Sequence, residues 1–182
     1  MSAPAFKIQP SSSELTLKAS PEAEMVAQKS RRQDTLSAWR VKLPARVREE
    51  ARARLSQKGG NPLVLEEMLA EYELQLGQYR GQTFRWLLEN DVGYACAIIA
   101  SHEKEREGES GNPNQAPLME HKDALTTYAR RFPQMVAAIA RRRMFEGSRS
   151  VRGLDDKQLG FGAHAHVTFK SLYESKKREC RS

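Results

Sequence analysis

Two glycines four residues apart constrain this chain more than any other feature. Gly77 and Gly81 bracket Gln78, Tyr79 and Arg80, with Leu74 and Leu76 alternating before them and a helical run after. Glycine reaches positive φ without a Cβ penalty, so the pair suits a tight β-hairpin turn. Beyond it Phe84, Leu87 and Leu88 recur at helical spacing, with Trp86 among them and Thr83 placed to cap. Asn90-Asp91-Val92-Gly93 ends that helix, and Tyr94 opens another apolar run. The stretch predicts a hairpin, a short helix, a turn and a second helix.

The pattern returns 85 positions later. Gly162 falls on Gly77, Thr168 on Thr83, Phe169 on Phe84, Leu172 on Leu87 and Glu174 on Glu89. The matched positions are those the local structure needs: turn glycine, cap and apolar face. An internal repeat therefore organises the chain. In the first copy an apolar run from Tyr94 completes the fold. The second copy has Lys, Arg and Glu in that place and stops at Ser182, which predicts a fragment or a truncated gene product.

Charge is distributed in blocks. Net charge is +6 over residues 1–60, −7 over 61–120 and +8 over 121–182, giving +7 overall. An acidic first repeat between basic flanks means that the flanks should meet phosphate if the protein meets nucleic acid. A charge-mixed surface with solubilising tails fits the same numbers. Cys96, inside an apolar run, reads as a buried free thiol, and Cys180 lies in a polar tail. Without a disulfide framework, signal pattern or long apolar span, the expected setting is intracellular, nuclear or cytoplasmic, with no membrane partner.

Residues 1–19 are rich in Pro and Ser and read as disordered. Ser20-Pro21-Glu22 starts a helix, with a capping serine and proline at the first position. That helix is expected to reach about Leu43. Pro44 opens a second basic helix, Gly59-Gly60 stops it, and Asn61-Pro62 restarts the chain. Residues 108–117 form a loop. Leu118, Leu125, Tyr128 and Phe132 share helical spacing up to Pro133, and Met135, Val136, Ile139 and Met144 continue the stripe. Arg141, Arg142 and Arg143 fall near the expected C-terminus of that helix, facing the negative end of its dipole.

Several side chains invite chemistry. Phe84, Trp86 and Tyr94 suit a base-stacking platform, but a module this small needs large side chains inside. Tyr79 and Arg80, at the expected hairpin tip, are the better contact candidates: an exposed aromatic beside a fixed cation can stack on a base or hold a phosphate. The arginines at 141–143 are further candidates for phosphate contact. His164 and His166 share a face but lack a third ligand, so no metal is expected. With no phosphate-binding glycine loop, nucleophile elbow or paired carboxylates, neither catalysis, a cofactor nor a small-molecule substrate is expected.

Residues 76–99, with G-Q-Y-R-G-Q-T-F-R-W-L-L-E-N-D-V-G-Y at their heart, resemble a small module with consensus near F-G-K-Y-K-G-K-T-F followed by D-P-G-Y-L-x-W-L. That module follows the nuclease in exodeoxyribonuclease X-like proteins and stands alone in putative quorum-sensing-regulated virulence factor proteins; similar repeats occur in uncharacterised animal proteins, fish among them. Gln78 replaces the usual lysine, while Arg80 keeps the second basic position. In the second copy Ala165 and His166 replace Arg80 and Gly81, so the basic tip is lost. The resemblance implies association with nucleic-acid enzymes and names no reaction.

The expected architecture is α+β and mostly helical. A basic arm, disordered then helical, covers 1–60; a hairpin-plus-helix module covers 61–146; a linker covers 147–157; and a truncated second copy covers 158–182. The expected function is a non-catalytic binding module meeting DNA, RNA or their processing proteins, with a purely protein-binding module as the alternative.

Overall fold

The computed structural model describes residues 3–33, 40–108 and 116–155. Seven helices appear among them: α1 (Pro21–Gln33), α2 (Pro44–Gln57), α3 (Leu65–Ala70), α4 (Phe84–Asn90), α5 (Val92–Glu107), α6 (Ala116–Ala129) and α7 (Pro133–Asp155). Residues up to Ala140 form one compact unit, and a second begins at Arg141. The second copy of the repeat, with Gly162, Thr168, Phe169 and Leu172, lies outside the described residues, as do His164, His166 and Cys180.

Proline and capping signals placed most helix starts. Ser20 Oγ accepts from Ala23 N at 3.1 Å and α1 begins at Pro21, while α2 begins at Pro44. Thr83 caps α4 by accepting from Trp86 N at 3.1 Å. Asp91 then caps α5 through Tyr94 N at 2.9 Å, so one acid lets the chain change helix direction without a loop. Without the Thr83 hydroxyl α4 would leave a donor orphaned, at a cost of about 1 kcal/mol.

The expected β-hairpin does not form. Among the described residues there is no strand, only isolated antiparallel bridges, Glu73 with Thr83 and Ile8 with Leu15. Leu74 N donates to Gln82 O at 2.8 Å and Phe84 N to Tyr72 O at 2.8 Å, so the loop does close on itself. Between those bonds both glycines take left-handed conformations, φ +69° at Gly77 and +85° at Gly81. Two left-handed residues so close together coil the chain, and a ladder needs extended backbone on both sides. Glycine at these positions was read correctly; the turn type was not.

The core joins segments far apart in sequence. Phe84, Leu87 and Leu88 of α4 meet Ile99 of α5, Leu125 and Tyr128 of α6, and Met135 and Ile139 of α7, all buried. Aromatic contacts extend it: Tyr72 on Phe84 at 5.7 Å, Tyr128 on Phe132 at 5.3 Å and Phe6 on Phe132 at 5.5 Å. Burying one such side chain contributes about 1.5–3 kcal/mol. Leu15 belongs to the same core, as do Ala23 and Ala27 of α1, so part of the segment 1–19 that was expected to be disordered is folded against it. Ser20 N and Oγ both bond Asn90, at 2.8 Å each, pinning the entrance of α1 to the end of α4. The domain therefore starts well before the expected boundary at residue 61.

Candidate functional site

The loop between α3 and α4 carried the first candidates, and it is built into the core. Tyr79 is only 1% exposed. Its hydroxyl donates to Asp91 Oδ2 at 2.7 Å, and its ring stands edge-on to Tyr94 at 5.0 Å and Trp86 at 5.4 Å. Burial first, then the hydrogen bond to Asp91, pushes the Tyr79 hydroxyl well above its ordinary pKa. The expectation of an exposed aromatic at a hairpin tip is thus overturned: the coiled loop folds this ring inward. Arg80 is half-buried, and it too has partners within the protein.

The remaining members of the motif pack against the scaffold to different depths. Phe84 and Leu87 are fully buried. Trp86 is half-buried and donates Nε1–H to Glu22 Oε1 at 3.1 Å; Tyr94 is half-buried, with its hydroxyl accepting from Gln78 N at 3.3 Å. Gly77 has a second reason to be glycine, because an added Cβ would stand 1.9 Å from the Tyr94 hydroxyl. No open stacking platform is formed by these rings. A polar cleft of about 240 Å³ beside them is lined by Arg31, Gln28, Gln78 and the Tyr79–Asp91 pair, among others.

The acidic loop pairs with Lys42, Arg54 and Lys58 of the basic arm. Glu71, 2% exposed, takes Lys58 Nζ on both oxygens at 2.7 and 2.8 Å. Arg54 reaches Glu73 at 2.9 Å and the Glu71 carbonyl at 2.8 Å, and Lys42 lies 2.6 Å from Glu50 and 3.7 Å from Glu73. Hydrogen bonds from Lys42 and Arg46 hold the Glu50 carboxyl below its usual range. Opposite charges far apart in sequence are neighbours in space. Part of the block pattern is therefore internal neutralisation.

The described arginines 141–143 occupy a different setting. They lie in the middle of α7, which runs on to Asp155, so the expected placement at a helix C-terminus fails. Arg141 and Arg142 are exposed and Arg143 is half-buried. Arg142 Nε donates to Glu146 Oε1 at 2.7 Å, one turn along the same helix. Met144 and Phe145 beside them are 73% and 59% exposed.

Two histidines escaped notice in the sequence. His102 is 2% exposed, its Nε2 lies 2.6 Å from Asp123 Oδ1, and its Nδ1 is buried without a hydrogen-bond partner. Burial pushes the Asp123 carboxyl up, but Arg106 and His102 outweigh it and hold the group below its ordinary value. His121, 5% exposed, accepts from Gln75 N at 3.3 Å and tilts against Phe84 at 5.0 Å. Burial pushes it down to about 4, so it is neutral at pH 7. Both sit at core spacing, His102 after Ala95 and Ile99, His121 before Leu125 and Tyr128; that periodicity was the available signal.

Cys96 is buried as a free thiol, as expected. Among the described residues no cluster of His, Cys, Asp and Glu could hold a metal ion, and no helix is long and apolar enough to cross a membrane. No family model, curated protein or solved structure matches this chain.

Proposed function

We propose that this protein is a non-catalytic binding module that acts with nucleic acid or its processing proteins, through basic surface on α7. The observation that carries the reading is the pair of exposed arginines, Arg141 and Arg142, on consecutive positions of one helix, with Arg143 beside them. Guanidinium groups held on a helix meet phosphate oxygens without needing a cavity. The likeness of residues 76–99 to the module of exodeoxyribonuclease X-like proteins supports the same association. On this reading the setting is intracellular, nuclear or cytoplasmic. The loop around Tyr79 shapes the scaffold and makes no contact itself.

Fluorescence anisotropy of labelled single- and double-stranded oligonucleotides at two salt concentrations tests this. Full-length protein should bind in a salt-dependent manner, and a double variant, Arg141→Gln with Arg142→Gln, should lose affinity and salt slope together. Salt-insensitive binding, or a variant indistinguishable from the parent, would sink the mechanism. The alternative, a protein-binding module, draws on a specific surface feature: Leu63, Val64 and Leu65 are 90%, 40% and 50% exposed in succession. Failure to bind either oligonucleotide form favours that reading.

A further inference from the structure

The polar cleft of about 240 Å³ beside Tyr79 carries its charges in order. Glu24, Gln28 and Arg31 line it from α1 at i, i+4 and i+7, so one helix face presents an acid, an amide and a cation in turn. Gln78 and Asp91 line it from the other side. The contacts around the cleft fix which end is which. Ser20 N and Oγ bond Asn90, the neighbour of Asp91, and Glu24 N bonds Ser20 O at 3.0 Å, so the Glu24 end of α1 lies toward Asp91. Arg31 reaches the Gln78 amide oxygen at 3.4 Å, so the other end of α1 lies toward Gln78. One end is therefore acidic, the other cationic, with amides between them.

Asp91 is what makes the cleft more than a groove on the surface. It is only 7% exposed, and among the described residues no cation pairs with it. Its carboxylate takes the Tyr79 O–H at 2.7 Å and the Tyr94 N–H at 2.9 Å, and the start of α5 offsets part of its charge. A carboxylate accepts about four hydrogen bonds, so about two places remain. Buried carboxylates are ordinarily paired, and the cleft is the side from which a cationic donor can reach this one.

We propose that this cleft binds a free di- or tripeptide, its α-ammonium between Asp91 and Glu24, its peptide groups on the Gln28 and Gln78 amides, and its α-carboxylate on Arg31. A side-chain amide donates and accepts as a peptide group does, and the Arg31 guanidinium has further N–H donors beside the one that meets Gln78. The lengths agree. Glu24 and Arg31 lie about 10 Å apart along the helix axis, and three extended residues cover about 10 Å. A nucleic-acid strand brings phosphate charge that suits Arg31 and no cation for Asp91, so it answers one end only. Apart from Tyr79 the apolar lining is two alanines, Ala19 and Ala27, which leaves peptide side chains loosely held and the affinity modest, roughly millimolar. Gln78 belongs to the loop that the α7 reading leaves without a contact, and the inference does not depend on that reading.

The test is a ¹H–¹⁵N NMR titration of the full chain at pH 7 with triglycine, following the side-chain amides of Gln28 and Gln78. Both should shift saturably with a midpoint of roughly 1 mM, and blocking either peptide end, by N-acetylation or C-terminal amidation, should weaken binding about tenfold. Arg31→Gln should weaken triglycine about fivefold and leave the amidated peptide unchanged; Glu24→Gln should do the same and leave the acetylated peptide unchanged. Both residues are exposed on α1, so the core stays intact. No saturable shift, blocked peptides that bind as tightly as the free one, or variants that weaken all three peptides alike would each overturn the proposal. Cytidine monophosphate moving these amides where triglycine does not would overturn it too, and would give the cleft to a nucleotide. Arg141→Gln with Arg142→Gln leaves this titration unchanged, so the two readings fail independently.

Discussion

The loop at residues 71–83 and the arginines at 141–143 offered the same promise in sequence, yet the loop buries its candidate and the helix leaves two of its own exposed. In the loop a tyrosine between glycines is driven inside, its hydroxyl claimed by Asp91 and its ring by Tyr94 and Trp86. In α7 the regular backbone fixes each side chain at 100° intervals, and Arg141 and Arg142 fall at exposed positions. Irregular backbone can bend a large residue inward; a helix face cannot. An aromatic in a glycine-rich turn is therefore a core candidate before it is a contact candidate.

The largest effect that would sharpen this contrast is in the loop. Gly77→Ala should cost about 3 kcal/mol or more, since the methyl meets the Tyr94 hydroxyl and the backbone is left-handed. Urea unfolding should show a lower midpoint at unchanged slope; a loss under about 1 kcal/mol would mean that the loop yields easily. The buried scaffold beneath it should also report pH. His121 ordinarily titrates near 6.5 and is held at about 4 when folded, so the unfolded chain binds a proton that the folded one refuses. Its contribution is fully present above pH 6.5 and falls away as pH drops toward 4, by up to about 3 kcal/mol. His121→Gln should flatten that part of the profile, and an unchanged profile would count against a neutral buried ring.

Tyr79→Phe comes next, at about 2 kcal/mol, because Asp91 Oδ2 loses its donor in a site only 7% exposed. Thermal melting of the pair of proteins is enough to see it. Gly81→Ala should cost only about 1 kcal/mol: φ is +85°, but nothing stands near the added carbon. Equal losses at Gly77 and Gly81 would show that φ alone matters. Smallest in stability is the change in α7, where Arg141→Gln with Arg142→Gln should stay within about 0.5 kcal/mol. The same pair should reduce the logarithmic salt slope of oligonucleotide binding by about 2.

Helix starts were legible because they are local. Ser20 with Pro21, Pro44, Thr83 and Pro133 each carry their signal within a few residues. So was the core face of α4, where Phe84, Leu87 and Leu88 can point only one way. What failed was non-local. Alternation at Leu74 and Leu76 resembled a strand, but the partner strand that would have confirmed it never extends. Leu15 and Phe6 looked like stray hydrophobes in a polar tail because their partners, such as Phe132, are more than a hundred positions away. Pairing between the charge blocks was hidden for the same reason: Lys58 meets Glu71, and Arg54 meets Glu73, only once α2 has packed.

The docking of residues 3–27 sets an order of events for the chain. Ala5 N reaches Glu89, Phe6 reaches Phe132, and Ser20 reaches Asn90, so each link closes a loop of about seventy residues or more. Closing such loops costs entropy before any contact rewards it, so α4 to α7 should assemble first and the leading segment, α1 included, should seal them last. It is also the piece that opens first. A protease should clip near residues 10–13 before it touches α4, and a polypeptide begun at Asn61 would bare the patch that Leu15, Ala23 and Ala27 cover and would associate with itself.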